Sequence, residues 1–294
     1  MSEIDTNLNE LQASRNEIKT AIENQLEIEV NVPMTRYAEL IALIPQATFS
    51  DERTNRLHFW MTFENSTVTD KSIFEQFDYT NKESFGRMFM NCKNLTAGPT
   101  INKSLGAKCY GMFHGCTSLI EVPSYNTSEC YWFVDMFSDC TKLTTVPTIY
   151  LSTNHADNTG PVTTRMFQNC SSLTEISLYC TTTLTGMDET FSGCSNLTTI
   201  TGDIKCRGNY FAEYKAFYGC SKLANLDGFS GLAADLDLSY CPLLTADSLG
   251  KIVNSIAAPP IGYHPTLKLN PDAAARLTTK MITTATDKGW TISY

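Results

Sequence analysis

The sequence predicts an α/β repeat: a capped solenoid of stacked units, preceded by a coiled-coil-like helix at the N-terminus. Three observations lead to it. A phrase built on Phe-x-x-Cys-x-x-Leu returns at spacings of 24 to 30 residues, residues 1–30 carry a heptad seam, and the final segment alternates helix and strand patterns.

The phrase reads MFMNCKNLTAGP from Met88, MFHGCTSLIEVP from Met112, MFSDCTKLTTVP from Met136 and MFQNCSSLTEIS from Met166. It continues as TFSGCSNLTTIT from Thr190 and AFYGCSKLANLD from Ala216, with a weaker seventh copy, LDLSYCPLLT, from Leu236. Periods of about 20–30 residues mark units that bury a face only by stacking on their neighbours. Within a unit, Leu173, Ile176 and Leu178 place alternate side chains inward, as a short strand in a parallel stack requires. A Gly, Asn or Asp before the cysteine of each of the first six copies supplies a turn residue. Polar stretches such as YNTSEC and STNHADNTGP read as loops.

The N-terminus follows a different grammar. Ile4, Leu8, Leu11, Arg15, Ile18, Ile22 and Gln25 alternate spacings of four and three, a heptad seam. A helix this short is marginal alone, so association with copies of itself is expected. Isoleucine at both kinds of seam position points to a homotrimer, with Arg15 and Gln25 setting register. An amphipathic helix packed on its own domain is the alternative. After it comes EIEVNVPMTRYAELIALIPQ, a short extended piece, a proline and a second helix. Residues 1–49 are therefore assigned as an oligomerising and anchoring segment, 50–84 as an N-terminal cap of alternating aromatic and polar residues, 85–245 as the repeats, and 246–294 as a C-terminal cap. In that last segment LTADSLGKIVNSIA reads as a helix, TLKLN as a strand, and PDAAARLTTKMITTATDKGWTISY as one helix, a stop at Gly289 and a final strand.

Composition excludes several functions. A net charge of −9 and pI near 5.0 argue against a nucleic-acid partner, and no apolar run spans a bilayer. The N-terminus lacks the basic and apolar pattern of a secretory signal, so eleven cysteines are expected to be thiols. Cys92, Cys116, Cys140, Cys170, Cys194, Cys220 and Cys241 hold the repeat position and read as a ladder of small buried groups. Bridges between neighbouring units are not expected, because the limbs opposite the strands are taken to lie too far apart. Cys109, Cys130, Cys180 and Cys206 lie off the repeat position and receive no role. No cofactor and no metal is expected: no two cysteines are closer than seven residues, and His58, His114, His155 and His264 are scattered. No phosphate loop, nucleophile elbow or HExxH occurs, and Asp135 and Asp139 read as solvated turn residues. The chain is expected to be non-enzymatic, with no catalytic residue.

A surface remains. Glu121, Thr145, Glu175, Ser177, Tyr179, Thr199, Thr201, Asn225 and Asp227 alternate with the inward Leu and Ile, forming a strip suited to sugar or protein recognition.

MFxxCxxLxxVP resembles the BspA-type leucine-rich repeats of gut bacteria and their viruses, over about residues 85–245. That resemblance implies a right-handed leucine-rich-repeat solenoid with short parallel strands on one face, and recognition. Residues 1–45 resemble the anchoring stub of tailed-phage virion proteins. Together these imply a virion protein, assembled in the host cytoplasm. Its N-terminus would dock on other virion proteins, and its repeats would adhere to a host surface protein or glycan. A tail-fibre or baseplate-type appendage is the first expectation. A head-fibre or capsid decoration protein and a bacterial cell-surface adhesin are the alternatives.

Overall fold

A computed structural model describes residues 63–67, 69–76, 85–101, 105, 108–151, 161–208 and 214–294. The anchoring segment 1–49, with Ile4, Leu8, Leu11, Arg15, Ile18, Ile22 and Gln25, lies outside the described residues, as do His58 and His155.

Every unit opens with a tight turn, at residues 86–91, 110–115, 134–139, 164–169, 188–193 and 214–219. Two positions in each turn are left-handed, one just before the Met-Phe pair and one just before the cysteine. Arg87 and Asn91, Asp135 and Asp139, and Arg165 and Asn169 adopt φ between 53° and 62°. Such a conformation costs a non-glycine residue about 1–2 kcal/mol. It is held by what it achieves: alternate N–H groups turn toward the next unit. Arg87, Phe89 and Asn91 donate to the carbonyls of Tyr110, Met112 and His114 at 2.8, 2.8 and 2.7 Å. Phe113, Phe137, Phe167 and Phe191 repeat the contact one unit on.

The register this imposes stacks the phenylalanines. Ring centroids along Phe63, Phe89, Phe113, Phe137, Phe167, Phe191 and Phe217 are 5.2 to 5.8 Å apart and the rings nearly parallel. At both ends a ring turns edge-on, Phe74 against Phe89 and Phe229 against Phe217. Offset and edge-on arrangements suit the quadrupoles of the rings. Beside this column run the repeat cysteines, all buried and free. Each Sγ from Cys92 to Cys220 donates to the phenylalanine carbonyl of the preceding unit, at 3.0 to 3.1 Å. The thiol is therefore both a small apolar filler and a hydrogen-bond donor, which no aliphatic residue of that size provides. Burial pushes these thiols well up in pKa, Cys92 and Cys220 to about 12.

Opposite the turns, the chain forms parallel strands: β1 (Ile149–Leu151), β2 (Glu175–Cys180), β3 (Thr199–Thr201), β4 (Ile204–Gly208), β5 (Asn225–Leu226) and β6 (Phe229–Leu232). One sheet runs β1-β2-β3-β5 and a second pairs β4 with β6. Earlier units meet only at single bridges, Ala97 to Glu121 to Thr145. The reason is Pro99, Pro123 and Pro147, each two residues beyond a bridging residue, where a strand would need an N–H that proline lacks. Once that proline is absent, β2 runs six residues with Ile176, Leu178 and Cys180 inward. Cys180 and Cys206 are thus the inward residues of β2 and β4.

Four expectations need correction. Cys109 and Cys130 form a disulfide, their Cα atoms 6.5 Å apart. The limb opposite the strands is as closely spaced as the strands themselves, since Lys108 and Trp132 also bridge in parallel, so the assumed separation was wrong. Secondly, the N-terminal cap contains a disguised turn of the repeat. Phe63 and Asn65 donate to Met88 and Met90, Asn65 is left-handed, and buried Ser66 stands where later units have cysteine. Thirdly, Asp135 is no merely solvated residue: its carboxylate takes Arg165 through two hydrogen bonds of 2.7 and 3.0 Å.

The fourth concerns the C-terminal cap. It contains α1 (Ala246–Ser255), β8 (Thr266–Leu269), α2 (Pro271–Ala274), α3 (Thr279–Asp287) and β9 (Thr291–Ser293), and it extends a sheet begun by β7 (Leu236–Leu238) of the last repeat. The single helix expected over the last part is two, because the Thr278 side chain caps a fresh start by accepting the Met281 N–H. Strands β7, β8 and β9 form a parallel sheet. Trp290 closes the core and donates its indole N–H to the Ala257 carbonyl.

Candidate functional site

The parallel register decides which strip residues are neighbours. Glu121 pairs with Thr145, and Glu175 pairs with Thr199, which pairs with Asn225. Between these runs the Thr174 N–H donates to the Thr144 carbonyl, so the rungs carrying Thr145 and Glu175 are adjacent. Glu121, Thr145, Glu175, Thr199 and Asn225 therefore form one row, with Thr199 half-buried and the rest exposed. Asn225 donates to the Thr199 hydroxyl at 3.3 Å.

A second row is narrower. Ser177 and Thr201 pair across β2 and β3, and their hydroxyls share a hydrogen bond of 2.7 Å. Asp227, one step further, is committed to the fold: it accepts from the Gly202 N–H at 3.0 Å and from Lys251 of α1 at 3.1 Å. Burial opposes its ionisation, yet these donors hold the carboxyl below its ordinary pKa. Its role is to tie the sheet to the cap, and it leaves little capacity for a ligand.

Tyr179 lies at the rim, 44% exposed, paired with Tyr150 across β1 and β2 with ring centroids 6.0 Å apart. Tyr150 is the residue that sequence reasoning missed. It sits past Pro147, outside the repeated phrase, and only the pairing of Ile149–Leu151 with β2 brings it to Tyr179. The arrangement offers carboxylates, hydroxyls, an amide and a stacked tyrosine pair on a broad, shallow face. Such a face suits recognition of an extended polar partner; it does not enclose a reacting group. Among the described residues, no group of three or more His, Cys, Asp or Glu is placed to hold a metal ion, and no helix is long and apolar enough to cross a membrane.

Residues 57–159 and 87–204 match a family model described as Mycoplasma protein of unknown function, DUF285. The two matches overlap, as a model laid twice over a repeated sequence will. No significant match was found among curated proteins or solved structures.

Proposed function

The chain belongs to the DUF285 family, whose description assigns no activity, and on that premise we propose that it is a non-enzymatic recognition protein. Its repeats constitute a capped leucine-rich-repeat solenoid, displayed outward from a phage particle by residues 1–49, as a homotrimer. The strand face binds a host surface protein or glycan. The observation that carries the recognition role is the continuous row from Glu121 to Asn225, exposed at every rung but the half-buried Thr199 and held in register by backbone hydrogen bonds across five rungs. The anchoring role rests on the change of sequence grammar between the heptads of residues 4–25 and the repeats.

Two chains test both halves. Residues 1–49 fused to a fluorescent protein are expected to enter particles without binding host cells. Residues 50–294 are expected to bind host cells, weakly as monomers and far better when multimerised, because linked sites gain effective concentration. Reversing Glu175 and replacing Tyr179 and Asn225 by bulky residues should abolish that binding. Virions that lack the repeats and still adsorb normally would overturn adhesion, leaving a head-fibre or decoration role.

A further inference from the structure

The first left-handed position of the turns carries Arg87, Gly111, Asp135, Arg165, Glu189 and Lys215 in successive units. Five of the six side chains are charged, and they interlock. Arg165 grips Asp135, Glu189 lies close enough to favour the charged Arg165, and Lys215 is favoured likewise by Glu189. Gly111 is the gap. Its φ of 58° matches the 52° to 56° of the five non-glycine residues, so the backbone does not demand glycine there. A Cβ on Gly111 would meet only Arg87 Cγ at 3.2 Å and His114 Cβ at 3.8 Å. The missing side chain leaves space: an open depression of about 280 Å³ floored by Gly111, with Arg87 on one side and Asp135 and Arg165 on the other. Met90, Tyr110, His114, Ser138 and Gln168 complete its walls.

The chemistry of these walls is specific. Arg87 uses Nε and Nη2 on Met90 and Glu64, and Arg165 uses Nε and Nη2 on Asp135, so among the described residues neither Nη1 has a protein partner. Both guanidiniums are held rigid by an ion pair, yet each offers a free donor edge. The paired carboxylates leave the depression close to neutral, which favours hydroxyl groups over a bare anion. Tyr110 brings an aromatic ring to the same wall. An apolar ring face beside planar, pre-oriented hydrogen-bonding groups matches a ligand with one C–H face and a rim of hydroxyls. The volume falls just below the range of about 300–1,000 Å³ for small-molecule sites, room for a single ring.

We propose that the depression at Gly111 is a saccharide-binding site that holds one pyranose ring. The ring stacks on Tyr110 and hydrogen-bonds to Arg87, Asp135, Arg165 and Gln168. It lies among the turns, apart from the strand-face row, and stands whether or not that row binds anything.

Saturation-transfer NMR on the full chain tests it, with the methyl glycosides of galactose, N-acetylglucosamine, glucuronic acid and N-acetylneuraminic acid as probes. At least one glycoside should receive saturation, and which one separates neutral from acidic sugars. Gly111→Arg restores the side chain that Arg87 and Arg165 carry at the same φ, and should weaken binding at least tenfold. Gln168→Ala, which adds no bulk, should weaken it several-fold and serves if the arginine variant fails to fold. Charge reversal at Glu175 should leave binding unchanged. No saturation of any probe, undiminished binding in both depression variants, or loss only in the Glu175 variant would overturn the assignment.

Discussion

The phenylalanine–cysteine column and the strand face come from the same repeats, but they are not equally regular. Along the column, the ring spacing stays within 5.2 to 5.8 Å and the thiol-to-carbonyl distance within 3.0 to 3.1 Å over six units. Along the strand face the same units give single bridges as far as Thr145 and continuous strands from β1 onward. The column is fixed by groups that have no alternative in a dry interior. A buried carbonyl needs a donor and a stacked ring needs a ring. The strand face touches water, so a proline or an added residue there costs little. Stability should therefore reside in the column and specificity in the faces.

Alkali should break the column most severely. Unfolded thiols titrate near pH 8.5, whereas burial holds Cys180 to about 11 and Cys92 and Cys220 to about 12 in the fold. A folded pKa above the unfolded one stabilises the fold fully below the unfolded value, and that contribution disappears as pH rises toward the folded one. Each such thiol loses about 1.4 kcal/mol per pH unit in that window. The urea midpoint, measured under reductant, should be flat from about pH 7 to 8 and fall steeply above about pH 9. A flat profile to pH 10.5 would show that the thiols are not buried together.

Removing one ring comes next. Phe137→Ala opens a cavity between Phe113 and Phe167 and should cost about 3–5 kcal/mol in urea denaturation. Replacing one thiol is milder. Cys140→Ser keeps a donor for the Phe113 carbonyl, as Ser66 shows the turn can accommodate, so it should cost no more than Cys140→Ala, each about 1–2 kcal/mol. A Ser variant much the worse of the two would mean that the buried hydroxyl does not reach the Phe113 carbonyl and the site demands an apolar group.

The cysteine inventory sharpens the contrast without perturbing it. Thiol titration of the denatured, unreduced chain should find nine groups, with all eleven appearing after reduction. Eleven before reduction would remove the Cys109–Cys130 bridge. The smallest effect belongs to the strand face. Substituting Glu175, Tyr179 or Asn225 should change stability by no more than about 0.5 kcal/mol each, since their side chains are exposed. A larger loss at any of them would place that residue in the core.

Much of this was legible in the residues alone. Phenylalanine, cysteine and leucine three apart, with Gly, Asn or Asp before the cysteine, specified which side chains go inward and where the chain turns, because burial and left-handed turns each tolerate few residue types. The inward Ile176 and Leu178 and the outward Glu175 and Tyr179 followed from strand alternation. Other features required the stack. Ser66 hides a repeat turn because serine and cysteine look unrelated until both are seen beside a neighbour's backbone. Tyr150 meets Tyr179, Cys109 meets Cys130, and Arg165 meets Asp135 across 29, 21 and 30 residues of chain. Unit lengths vary from 24 to 30 residues, so the residues that face each other depend on how each loop is absorbed, and only the backbone hydrogen bonds between units settle that.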